Sequence, residues 1–240
     1  NMEARLDAPV TNITAVDNGS GFIFDVTDYV GAVNPDAMAS DRDWYSEWII
    51  PGSLVAPTQE IKTPEAADFV TCTGTVCTIG GIIDEDYTMT FGTTWVLNGF
   101  TQVGAGNVNV ADQAQVDAII AAGVTLTIEP GVHVRATDDA ALVVTRGSKL
   151  MAEGTFSKPI TFSSATDDDF DGEGEWGGVI LQGFAPQYGV GGTGPCYGAG
   201  VVCNIPGEGS SDVAFYGGNN PADNSGAMKY VRIAEGGYVA

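Results

Sequence analysis

Asp167, Asp169 and Asp171 fall on alternate positions, Gly172 follows them, and Glu175 stands at the ninth place counted from Asp167. Hard carboxylate oxygens gathered on a turn that glycine permits are the first half of a Ca2+ loop of the D-x-D-x-D-G kind. Binding the ion would relieve the repulsion among the carboxylates. The twelfth place, where a bidentate glutamate closes such loops, is Gly178. The pattern therefore admits Ca2+ on Asp167, Asp169, Asp171 and Glu175, and it also admits a solvated acidic corner.

Four cysteines form two local pairs, Cys72 with Cys77 and Cys196 with Cys203. Intervals this short suit disulfide-closed loops and an oxidising compartment, and they match no common zinc pattern. The only histidine, His133, has no partner recognisable in the sequence and reads as a surface strand residue rather than a general base. From residue 100 onward the basic residues are Arg135, Arg146, Lys149, Lys158, Lys229 and Arg232, on successive strands where they could form a line. Phe22, Phe24, Trp44, Tyr45 and Trp48 make an aromatic group suited to a cap or an interface anchor. Trp95 and Trp176 sit in strand-like runs, and Trp176 reads as core.

The charge balance bounds the partners. Thirty-one acidic residues face nine basic ones, a net charge of −22, and such a surface repels the phosphate backbone of nucleic acids and anionic membranes. No stretch approaches the roughly 20 apolar residues of a membrane span. The chain begins at Asn1 with no signal peptide, the expectation for a mature or trimmed form.

These residues need a scaffold, and the segment 124–164 describes it. Leu126, Ile128, Gly131, Val132 and Val134 are echoed sixteen positions later (147 − 131) by Leu142, Val144, Gly147, Ser148 and Leu150. Apolar alternation on either side of a glycine gives short strands meeting at corners, and a regular period stacks them into a coil. Further corners fall at Gly80-Gly81 and Asn98-Gly99, and strands at 87–91, 95–97, 179–181 and 228–233. Residues 112–122 predict one helix, capped by Asp112 or Asn109, apolar along Val116, Ile119 and Ile120, and stopped by Gly123. Residues 1–50 read as a strand and tryptophan-bearing capping or linking segment, 51–68 as a linker, and 69–240 as the coil, incomplete at its C-terminal end.

TLTIEPGVHV, ITFSS, GEWGGVILQGFAP and YGGNNPADNSGAMKYVRIAEGGY resemble a largely uncharacterised group of bacterial secreted and cell-surface proteins. That resemblance implies an all-β, right-handed parallel β-helix on a secreted or surface-borne protein. The segment FIFDVTDYVGAV…DWYSEW resembles the closing piece of such domains, yet here it comes first. The leading expectation is an extracellular structural or surface protein whose copies join head to tail into an array or filament, which would explain that order, as would tandem modules. The other expectations are a β-helix that binds or cleaves extracellular glycans, and a Ca2+-dependent adhesin. No catalytic constellation stands out, because so many acidic residues supply carboxylate pairs by chance.

Overall fold

The computed structural model describes residues 59–166, 174–186, 202–207 and 215–237. Its strands are β1 (Val70–Thr73), β2 (Val76–Ile83), β3 (Tyr87–Met89), β4 (Thr94–Val103), β5 (Thr125–Ile128), β6 (His133–Ala136) and β7 (Ala141–Val144). They continue with β8 (Lys149–Glu153), β9 (Ile160–Ser164), β10 (Gly178–Leu181), β11 (Ile205–Pro206), β12 (Phe215–Tyr216), β13 (Gly226–Lys229) and β14 (Val231–Ile233). One helix, α1 (Gln113–Ala121), interrupts them.

Parallel pairing sorts all of these strands except β1 and the antiparallel pair β11–β12 into three ladders around one core. The first stacks β2, β4, β6, β9 and β14; the second stacks the later halves of β2 and β4 with β7 and β10; the third stacks β3, β5, β8 and β13. β2 and β4 each serve two ladders because they bend at Gly81 (φ 78°) and Gly99 (φ 60°), the corners expected from the sequence. The chain is an all-β parallel β-helix.

The repeat differs from the sixteen-residue reading. β5, β6, β7 and β8 begin eight residues apart, at Thr125, His133, Ala141 and Lys149, and Thr125 pairs with Lys149 one full turn on (149 − 125 = 24). Sixteen residues thus span two faces, and Leu126 and Leu142 belong to different ladders. Adjacent faces share one alternation and one corner glycine, so they look like successive turns. Gly131 (φ 82°) and Gly147 (φ 84°) are corners, as expected.

Inward side chains stack between rungs. Trp95, Leu97, Val134, Ala136 and Phe162 line the first ladder, Val103 and Val144 the second, and Met89, Leu126, Ile128 and Leu150 the third. Trp176 lies against Phe162 with ring centroids 6.2 Å apart and donates from Nε1 to the Ala234 carbonyl at 2.7 Å. Burial of such side chains is the main stabilising term of the coil.

At the N-terminal end β1 returns antiparallel along β2, and Cys72 and Cys77, directly opposite in that hairpin, are joined by a disulfide. Residues 59–69 lie against the first two turns, where the Tyr87 hydroxyl donates to the Glu65 carbonyl and Lys62 pairs with Glu129 at 2.7 Å. Helix α1 starts as expected, with the Asp112 carboxylate accepting from the Gln115 amide at 3.0 Å. Val116 is buried and Ile119 half-buried, whereas Ile120 is exposed. The helix lies beside the corner at Gly147, where an added Cβ would meet the Ile119 carbonyl.

The expected strand across residues 228–233 is two strands on two ladders, turned at Tyr230. Met228 and Ile233 pair in register with buried Ala152 and Phe162, so both face inward.

Candidate functional site

Alternation on β6 sends Val134 and Ala136 inward, which leaves His133 and Arg135 on the outer face of the first ladder. Parallel register then places Thr161 beside His133, Ser163 beside Arg135, and Arg232 beside Thr161 on the following rung. A strip of one imidazole, two guanidinium groups and two hydroxyls results. His133 Nε2 lies 2.7 Å from Ser163 Oγ, a diagonal contact between rungs. Arg135 Nη2 donates to the Ala165 carbonyl at 3.3 Å, which holds that side chain along the face. Burial, and then the charges of Arg135 and Arg232, hold the His133 ring below its ordinary range. At neutral pH the imidazole is neutral, so one ring nitrogen shares a hydrogen bond with Ser163.

The other bases do not join this strip. Lys149 and Lys229 are on strands of the third ladder, and Lys158 sits at a corner, over the Phe91 ring at 5.3 Å and bonded to Gln59. The single line of cations is therefore replaced by separate placements. Arg146 is the largest departure: it is fully buried at the corner before Gly147. Its guanidinium donates to the carbonyls of Val108, Cys203 and Gly217 and to Asn204 Oδ1, and it lies 4.8 Å from the centre of the Phe184 ring. Asn204 in turn bonds both backbone groups of Val110. Burial lowers Arg146 to about 10, which leaves it charged at neutral pH. It gathers three excursions from the coil, and sequence reasoning missed it because its partners are carbonyls.

Of the four carboxylates expected to hold Ca2+, Glu175 alone falls among the described residues; Asp167, Asp169 and Asp171 lie outside them. Among the described residues Glu175 Oε2 is buried without a hydrogen-bond partner, while the Glu175 amide donates to the Glu235 carbonyl at 2.7 Å. Among the described residues no three carboxylate, histidine or cysteine groups converge as a metal centre. Cys203 is disulfide-bonded, and its expected partner Cys196 lies outside the described residues. So do Phe22, Phe24, Trp44, Tyr45 and Trp48. Among the described residues no helix is long and apolar enough to cross a membrane.

An outer face of one parallel ladder bearing basic and hydroxyl groups can bind an extended, oxygen-rich ligand running along the coil. No curated protein and no solved structure matches the chain. The profile of the pectate-lyase-like beta helix domain matches residues 84–240, which takes in every turn after the first strands. With that match covering most of its length, and with three parallel ladders wound about one core, the chain belongs to the pectate-lyase-like β-helix domain family.

Proposed function

We propose that this protein is an extracellular polysaccharide-binding β-helix whose ligand lies along the outer face of the first ladder. One observation carries the reading: His133, Arg135, Thr161, Ser163 and Arg232 share that face on an otherwise strongly acidic chain. Guanidinium groups recognise carboxylate and hydroxyl oxygens with fixed fork geometry, and the flanking hydroxyls accept and donate to sugar oxygens. Asp167, Asp169, Asp171 and Glu175 form the Ca2+ loop of this reading, and the buried, unpartnered Glu175 oxygen suits a cation. Affinity electrophoresis through gels holding polygalacturonate, alginate or neutral mannan tests it. Retardation that R135A and R232A each abolish is the expected result, and unretarded migration of the wild-type protein in all three gels refutes the reading. Unsaturated products on incubation would extend it to cleavage.

A second reading, assembly of copies head to tail into a surface array or filament, rests on different residues. Inward-facing Ile233 and Met228 on the last described rungs are 44% and 39% exposed, and a further turn of the coil, from the same chain or from another copy, would cover them. Sizing of the purified chain across a concentration series tests it, and a monomer at every concentration would remove it.

A further inference from the structure

The passage from the third ladder to the first is made four times, the first through residues 90–93 with Gly92 at φ 86°. Residues 129–132 turn through Gly131 at φ 82°, and residues 154–159 make a longer loop closed by the Thr155–Lys158 bridge. The last passage has a single residue, Tyr230, between Lys229 and Val231. So tight a corner forces Tyr230 into the left-handed region at φ 48°, which glycine and asparagine adopt readily and bulky side chains do not.

Among the described residues the Tyr230 side chain is not part of the core cluster. The corner's hydrogen bond uses the Tyr230 carbonyl, which accepts from the Ile160 amide at 3.0 Å and would form with any residue. The side chain is 51% exposed, and its ring has the Lys229 ammonium 5.8 Å from its centre. The core gains little from it while the backbone is held in an unfavourable region. Strain kept without a structural return marks positions retained for function. Two residues on, Arg232 joins the basic strip.

We infer that Tyr230 is an aromatic platform on which one sugar ring of the bound chain stacks, at the corner where the basic strip begins. This rests on the polysaccharide reading and adds a residue and a contact type to it. The ring offers a flat apolar face to the C–H side of a pyranose, and Lys229 beside it favours an anionic unit.

The test pairs binding with stability in Y230N and Y230F, using the polygalacturonate, alginate and mannan gels. Asparagine suits the left-handed corner, so Y230N should melt at or above the wild-type temperature while its affinity falls roughly five- to tenfold. Y230F should bind within about twofold of wild type, since stacking needs the ring and not the hydroxyl. Two results overturn the inference while leaving the polysaccharide reading intact: Y230N binding like wild type, or Y230N melting well below it. Wild-type protein that binds none of the three glycans overturns both.

Discussion

His133 Nε2 and Ser163 Oγ meet at 2.7 Å although thirty residues of chain separate them. The contact exists because β9 lies one rung beyond β6, in a register that brings Ser163 within diagonal reach of the imidazole. It is the point where the coil's geometry becomes side-chain chemistry on the candidate strip.

That contact predicts a pH dependence. The folded protein holds His133 below its ordinary value of 6.5, mainly through burial and then through Arg135 and Arg232. The unfolded chain therefore binds more protons between the two pKa values, and stability rises with pH across that window. The contribution is complete above about 6.5 and declines as the pH falls toward the folded value. His133 is the only histidine, so one NMR titration reads it directly. A midpoint at or above 6.5 would contradict the assignment. His133→Gln should flatten the dependence of melting temperature on pH in this window relative to wild type.

Arg146 predicts a large and localised loss. Removing its side chain strips donors from the buried carbonyls of Cys203 and Gly217 and from the more exposed Val108 carbonyl, and opens a cavity against Phe184. Each orphaned carbonyl costs about 1–3 kcal/mol, so Arg146→Met should destabilise by about 3 kcal/mol or more. Hydrogen exchange should quicken at residues 108–110, 202–204 and 217 while the β5–β8 and β6–β9 ladders stay protected. Uniform loss of protection would show that Arg146 supports the coil itself rather than its excursions.

The sequence discloses this fold unevenly, for physical reasons. Alternation and corner glycines are local properties, so Leu126, Ile128, Gly131 and Gly147 show the strands and bends directly. The helix cap at Asp112 is local in the same way. The length of a turn is not, because adjacent faces eight residues apart carry the same pattern. Which face follows which is fixed only by pairing, as in Thr125 with Lys149. The break at Tyr230 leaves one local trace, the adjacent pair Tyr230 and Val231 where the alternation changes phase, and a reading of 228–233 as one strand passes over it. The site is less legible still. His133 meets Ser163, and Arg146 meets Cys203 and Gly217, only after loops of unequal length have been thrown out of the coil. Nothing in a residue's neighbours records those lengths.

Glycines at contacts between rungs should separate cleanly from glycines at open turns. A Cβ on Gly226 (φ 115°) would overlap the Leu150 backbone on the neighbouring rung. Gly74 (φ 63°), in the turn of the β1–β2 hairpin, has nothing within 4 Å of that position. Gly226→Ala therefore combines backbone strain with displacement of β13 from β8 and should cost about 3 kcal/mol. Gly74→Ala carries the strain alone, about 1 kcal/mol. Urea unfolding of the two variants checks the difference, and equal losses would mean that the rungs around Gly226 yield freely.

The acidic loop makes the last prediction. With a net charge of −22, any divalent cation will raise the melting temperature somewhat by screening, so a rise alone decides nothing. A bound ion behaves differently. At a hundred times its dissociation constant it stabilises by about 2.7 kcal/mol, a shift of roughly 5–10 °C for a chain of this length. Ca2+ should exceed Mg2+ at equal concentration, because clustered carboxylates can meet the variable geometry of the larger ion more easily than the strict octahedron of Mg2+. Asp169→Asn and Glu175→Gln should each remove most of that excess and leave the screening component common to both metals. If the variants retain the full Ca2+ response, or if Mg2+ matches it, the loop is a solvated corner. The buried Glu175 oxygen would then need another partner.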